Sequence, residues 1–303
     1  MNPERRELLS RTATAALAAA LPLPLQAARL IRKAIPSSGE TIPAIGVGTA
    51  RRYQGAGSEA TLAPLRASLQ RFSELGGTVI DTAPSYGHAE AVVGALLGEL
   101  QLGGQMFLAT KLGATGRAAG IAQLESSFKL LRRRRIDVIS IHNLQDVDTQ
   151  LPLLRDLKTS GRIRYVGATT SSDRQYSPFE ALMKREPLDF VQVDYALDNR
   201  GAAERLLPLA RERNMGVMVN LPFGRGRLFE ATRGKALPDW AAEFDCRSWA
   251  QFFLKYIIAH DAVTCVIPGM ARPEYVVDNM EAAVGRLPDA GTRKRMEAFI
   301  DAI

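Results

Sequence analysis

Short apolar runs rich in β-branched residues return along this chain at a near-constant interval, and that rhythm restricts the fold more than any other feature. The runs end near Thr49, Asp81, Lys111, His142, Gly167, Val193, Asn220 and Pro268. Successive ends lie 25 to 32 residues apart until the last interval, which is 48. Each interval has room for the crossover helix that two parallel strands require. The strand segments Thr78–Asp81, Met106–Thr110, Val138–Ile141, Phe190–Val193 and Val263–Ile267 are continuously apolar. Strands buried on both faces of a parallel sheet have that composition. Between them, Ser58–Leu75, Ile121–Leu131 and Glu204–Arg213 carry helical spacing.

Units of this kind repeated in one domain predict an α/β protein of the (β/α)8 TIM-barrel class. An open doubly wound sheet is the rival. It carries a glycine-rich fingerprint after its first strand, whereas Gly46-Val47-Gly48-Thr49 lacks the third glycine. Ahead of the first unit, Leu30–Ile45 reads as an N-terminal β-hairpin around Pro36-Ser37-Ser38-Gly39, placed to plug the bottom of the barrel. The long last interval holds an extra loop, Phe223–Phe244.

The N-terminus has a different character. Arg5-Arg6 precedes an apolar stretch over residues 13–25 that is interrupted by Pro22 and Pro24. As a helix that stretch would span about 20 Å, short of the roughly 30 Å hydrocarbon core. With small residues at Ala27-Ala28, residues 1–28 predict a cleaved signal peptide of twin-arginine type (Tat) ahead of a barrel domain at 29–303. The expectation is periplasmic export by the twin-arginine machinery, with no membrane anchoring of the mature form. Cys246 and Cys265 are too few for a disulfide framework, and no Cys/His group has zinc spacing, so no metal site is expected. Net charge is +7. No run interleaves basic and aromatic residues as a nucleic-acid groove does. Arg132-Arg133-Arg134-Arg135 is expected to be a solvated helix end.

Chemistry in such a barrel sits at the C-terminal ends of the strands. Four polar residues fall there in successive units: Asp81, Tyr86 in the loop beyond it, Lys111 and His142. These types suit one task. A phenol is a weak acid, with an ordinary pKa near 10, and a lysine cation beside it favours the phenolate. An aspartate paired with that lysine keeps it charged and in place. A neutral imidazole can hydrogen-bond and orient a carbonyl oxygen. The set can protonate a carbonyl oxygen, and hydride for its carbon has to come from a nicotinamide cofactor. Arg51, with Arg52 and Tyr53 beside it, follows the first strand at the same rim. Arg51 and Tyr53 are candidates for substrate contact.

The segment Asp81-Thr82-Ala83-Pro84-Ser85-Tyr86-Gly87, with Glu90 and Gly94, resembles the signature of the aldo/keto reductases. So do Thr110-Lys111, Ile136-Asp137-Val138 leading to Ile141-His142-Asn143, and Gly161 to Gly167. The resemblance covers about residues 40 to 285 in unbroken order. It implies a (β/α)8 barrel binding NADP(H), with NAD(H) as the alternative. It also implies a Tyr86 acid, a Lys111–Asp81 pair that tunes it, and a His142 that orients a small-molecule carbonyl substrate. By the same resemblance, Thr169, Thr170 and Gln192 hold the nicotinamide carboxamide. Asn220 stands where an aromatic residue commonly stacks on the nicotinamide. Phe223, Gly224, Arg225 and Gly226 cover the pyrophosphate, Gly269 and Arg272 hold the adenosine phosphate, and Asn279 meets the adenine. A cofactor-binding sensor with little turnover on the same barrel is the rival function.

Overall fold

In the computed structural model, residues 30–55 and 57–303 are described. The export signal expected over 1–28 lies outside them. The first two strands, β1 (Arg32–Ala34) and β2 (Thr41–Pro43), pair antiparallel as the expected hairpin. The repeating part then runs β3 (Val47–Gly48), α1 (Glu59–Glu74), β4 (Val79–Asp81), α2 (Ala89–Glu99), β5 (Phe107–Leu112), α3 (Arg117–Leu130) and β6 (Ile136–Ile141). It continues with α4 (Val147–Thr159), β7 (Ile163–Thr169), α5 (Tyr176–Arg185), β8 (Phe190–Asp194), α6 (Ala202–Glu212) and β9 (Gly216–Asn220). After a short α7 (Arg227–Ala231) come α8 (Trp249–Ile258), β10 (Cys265–Val266), α9 (Pro273–Glu281) and α10 (Ala290–Asp301).

The strands β3 to β10 form one parallel sheet in sequence order. Backbone hydrogen bonds from Gly46 to Val266, Gly48 to Pro268 and Val266 to Ala44, each 2.9 Å, close its edges onto each other. Closure removes both edges, so the end strands β3 and β10 pair with each other as the inner strands pair with their neighbours. At Gly48 a Cβ would stand 2.5 Å from the Ile267 carbonyl oxygen. Only glycine permits that approach.

The barrel interior is filled by Val79, Phe107, Val138, Tyr165, Phe190, Met218, Cys265 and Ile267. Phe107 of β5, Tyr165 of β7 and Phe190 of β8 pack with ring centroids 5.4 to 6.2 Å apart. Ile35 and Ile42 of the hairpin belong to the same cluster. The hairpin therefore plugs the N-terminal end, and the Tyr165 hydroxyl fixes it through Ser38 Oγ and Glu40 Oε2, each at 2.8 Å. Cys265 is core, as expected of a small thiol in an apolar strand.

Two boundaries differ from expectation. α3 begins at Arg117, a turn earlier than its apolar spacing indicates, and β10 is shorter than Val263–Ile267. The Phe223–Phe244 loop is also more ordered than a bare connection. It carries α7 and a 3-10 turn at Asp239–Phe244. Trp240 packs on Phe252 and Phe299, and Trp249 donates its ring N–H to the Lys235 carbonyl.

Candidate active site

Asp81 is the last residue of β4 and Lys111 lies in β5. Both side chains turn into the barrel mouth and are almost fully buried. The Lys111 ammonium donates to both Asp81 oxygens and to the Thr82 carbonyl, each at 2.8 Å. Its Nζ lies 5.2 Å from the centroid of the Tyr86 ring, and the charge of each group acts on the pKa of the other. His142 follows β6. Its ring stands edge-on to Tyr86, centroids 6.1 Å apart, with Nδ1 3.4 Å from Ser85 Oγ. The four residues predicted from consecutive units thus converge.

Neighbouring residues hold these elements in place. The buried Glu90 carboxylate of α2 accepts Thr110 Oγ1 at 2.6 Å and Ser127 Oγ at 3.1 Å, tying α2 to β5 and α3. At Gly94 a Cβ would lie 2.0 Å from the Leu130 carbonyl, so glycine is what lets α2 sit this close. Gln192 of β8 donates to Asp81 Oδ1 at 2.8 Å across the barrel. That second clamp on Asp81 has no signal in the sequence, because the two residues meet only once the ring closes.

Burial and charge set the protonation states. Burial would discharge Lys111, but the Asp81 carboxylate, and after it Tyr86, outweigh burial and hold its pKa above the ordinary value. Burial pushes the Tyr86 phenol up and Asp81 adds to this, while Lys111 pulls the other way and does not win. The lysine therefore does not produce a resting phenolate, contrary to the direction expected from the pair alone. Desolvation outweighs the single cation. The resting phenol is a neutral donor. Burial, and then the Lys111 charge, lower His142 to about 4, so its imidazole is neutral.

His260 is also held at about 4, by burial and then Arg293. Below the ordinary histidine pKa of about 6.5, the unfolded chain takes up protons that these two folded imidazoles refuse until about 4. Stability is therefore complete above that upper value and declines as pH falls toward the lower one. Melting temperatures across this window should show the decline. A His142→Gln/His260→Gln chain should show less of it, and an equal decline would refute the assignment.

The candidate cofactor residues lie on the β7–β10 side of the rim. Thr169 Oγ1 accepts the Asn143 N–H at 3.1 Å, and Thr170 Oγ1 donates to Gln175 at 2.8 Å, so both hydroxyls are engaged within the protein. Asn220 donates to the Thr170 carbonyl at 3.0 Å, and its Oδ1 is buried without a partner among the described residues. Thr49 Oγ1 and Thr82 Oγ1, just past β3 and β4, are orphaned in the same way. Sequence reading passed over these two, although a hydroxyl at a strand C-terminus was a usable signal. Phe223 packs on Phe229, centroids 4.8 Å apart. Gly224, Arg225 and Gly226 all have positive φ, and a Cβ on Gly224 would stand 2.2 Å from Asp198 Oδ2. Arg227 pairs with that carboxylate at 2.8 Å. A cavity of about 380 Å³ opens beside this loop and Ser171, Ser172 and Leu221, to one side of the four convergent residues. Gly269 and Arg272 are exposed, with Arg272 at the start of α9, and Asn279 is buried on α9.

Arg51 is exposed beside the mouth, as a substrate contact requires. Tyr53 is not. It is fully buried and donates its hydroxyl to the Met270 carbonyl at 3.1 Å, linking the loop after β3 to the one after β10. The substrate-contact expectation for Tyr53 is corrected: its ring is core.

A model of the aldo/keto reductase family matches residues 44–297. The chain belongs to the aldo/keto reductase family. Aldo-keto reductase YhdN of Bacillus subtilis (strain 168) is 28% identical over 230 residues, 70% of this chain and 66% of that protein. Probable aldo-keto reductase 1 of Glycine max is 30% identical over 167 residues, 50% of this chain and 47% of that protein. The match thus spans just under two thirds and about half of these relatives. An aldo/keto reductase from Klebsiella pneumoniae, solved in complex with NADP and acetate, has a TM-score of 0.75 at 26% identity. The similarity covers 89% of this chain and 96% of that one. Within this aldo/keto reductase barrel Asp81, Tyr86, Lys111 and His142 meet at the mouth.

Proposed function

We propose that this protein reduces the carbonyl of an aldehyde or ketone to the alcohol, reversibly, with NADP(H) as cofactor. The observation that carries the reading is the closed set at the mouth: a neutral phenol facing an ammonium that Asp81 keeps charged, beside a neutral imidazole. Tyr86 donates its proton to the carbonyl oxygen. Lys111 stabilises the phenolate left behind, and Asp81, held by Gln192, keeps Lys111 in position. His142 hydrogen-bonds the same oxygen and sets its orientation.

The β7–β10 rim suits a dinucleotide. The orphaned Asn220 Oδ1 offers an acceptor to a carboxamide N–H. Gly224 and Gly226 turn a loop whose backbone N–H groups can approach phosphate, and Arg225 adds charge. Arg272, exposed at the start of α9, would pair a 2′-phosphate, which favours NADP over NAD. Bound there, the reduced nicotinamide would supply the hydride for the carbonyl carbon. Family membership and the Klebsiella relative solved with NADP support this reading.

We propose further that residues 1–28 are a twin-arginine export signal and that 29–303 form the mature periplasmic barrel. Arg5-Arg6 and the short apolar stretch behind them motivate this.

Two experiments test these readings. Fluorescence titration with NADPH and NADH, followed by NADPH oxidation against aldehydes, quinones and dicarbonyls, is expected to show binding and turnover, with NADPH preferred. Binding with no turnover on any carbonyl would favour the sensor role. An Arg5→Lys/Arg6→Lys chain should stay in the cytoplasm on fractionation, and unchanged export would remove the twin-arginine assignment.

A further inference from the structure

We propose that the N-terminal face of the barrel, opposite the mouth, binds a small phosphate-bearing anion. A cavity of about 420 Å³ opens there between the hairpin and the starts of β5 to β7. Four arginines line it: Arg32 of β1, Arg133 and Arg135 of the turn before β6, and Arg164 of β7. Two carboxylates also line it, Glu40 and Asp137, and both are already paired. Arg164 bridges them, at 2.8 Å to Asp137 Oδ1 and with its other terminal nitrogen on Glu40. The second Asp137 oxygen accepts the Leu108 N–H at 2.8 Å, and Glu40 accepts the Tyr165 hydroxyl. Arg32, Arg133 and Arg135 form no ion pair among the described residues, and the four guanidiniums outnumber the two carboxylates by two.

Arg133 makes the case specific. Its Nη2 is buried with no hydrogen-bond partner among the described residues. Burial pushes its pKa down. A buried charged donor without an acceptor destabilises the empty fold, and a turn of the Arg133 side chain into the cavity it lines would give that nitrogen an oxyanion acceptor. The wall beside it is bare backbone. Arg133 Nη1 stands 3.0 Å from where a Gly103 Cβ would be, and a Cβ on Gly104 would meet open space. Guanidinium forks match phosphate oxygens bidentately. The run Arg132–Arg135, expected to be a solvated helix end, thus places one half-buried member, Arg133, in a cavity. None of these residues takes part in the reduction proposed above, so the site stands or falls independently.

The test is thermal unfolding of the full chain in rising inorganic pyrophosphate at constant ionic strength. Wild type is compared with Arg133→Met and with Arg135→Gln, whose side chain is exposed, all with excess NADPH present to fill the cofactor cleft at the mouth. A saturable rise in melting temperature is expected in wild type. At least tenfold weaker binding is expected in Arg133→Met and Arg135→Gln. No saturable rise in wild type, or one that survives unchanged in both arginine variants, overturns the proposal. Flotation with phosphatidylglycerol vesicles separates the sources of the anion. Binding that is lost in the same two variants identifies a lipid headgroup, and a pyrophosphate response without vesicle binding identifies a free phosphate compound.

Discussion

Tyr86→Phe is expected to lower kcat for carbonyl reduction by about two to four orders of magnitude, the usual contribution of a positioned general acid. The ring fills the same space, so the packing against His142 is kept and only the hydroxyl is lost. Affinity for NADPH should be unchanged, because the residues proposed to hold it lie on the β7–β10 side. A variant retaining more than a tenth of wild-type turnover would remove Tyr86 as the proton donor. The phenol is protonated at rest because burial outweighs the nearby ammonium. In the proposed reaction Lys111 therefore acts by stabilising the anion as it forms, and the expected chemical effect rests on that one hydroxyl.

Lys111→Met is expected to destabilise the fold by about 3–5 kcal/mol, the usual penalty for removing one partner of a buried ion pair. Asp81 is 4% exposed, and it would keep only the Gln192 amide at 2.8 Å. Turnover should fall with stability, since the cation facing Tyr86 disappears. Adding Asp81→Asn to the same chain tests the cause, because it removes the stranded charge. Chemical denaturation should then recover most of the lost stability, while turnover stays low. A double variant no more stable than Lys111→Met alone would mean that the penalty comes from packing rather than from charge.

The barrel was readable over the strand ends from Thr49 to Pro268 because the pattern that encodes it is local. Runs such as Met106–Thr110 are apolar on both faces, and the crossover helices between them carry their own spacing. The Leu30–Ile45 hairpin was readable from its turn residues. The four residues at the mouth were readable for a related reason. Each ends or follows a strand, and in a closed parallel sheet all strand ends share one rim.

Other properties of the site depend on distance and burial, which sequence order does not contain. Gln192 reaches Asp81 only because β8 and β4 face each other across the closed ring. Tyr53 stands in a rim segment by sequence yet is core by packing, since its hydroxyl meets the Met270 carbonyl contributed by the last barrel unit. The neutral states of Tyr86 and His142 follow from desolvation, and the Arg133 nitrogen that packs near Gly103 has no partner among the described residues. Hydrophobic periodicity is a property of neighbouring residues, so the chain carries the architecture and the order of its reactive groups in its own alphabet. Protonation, hydrogen-bond partners and cavities arise from groups far apart in the chain sharing one low-dielectric space, and that sharing is settled only when the barrel closes.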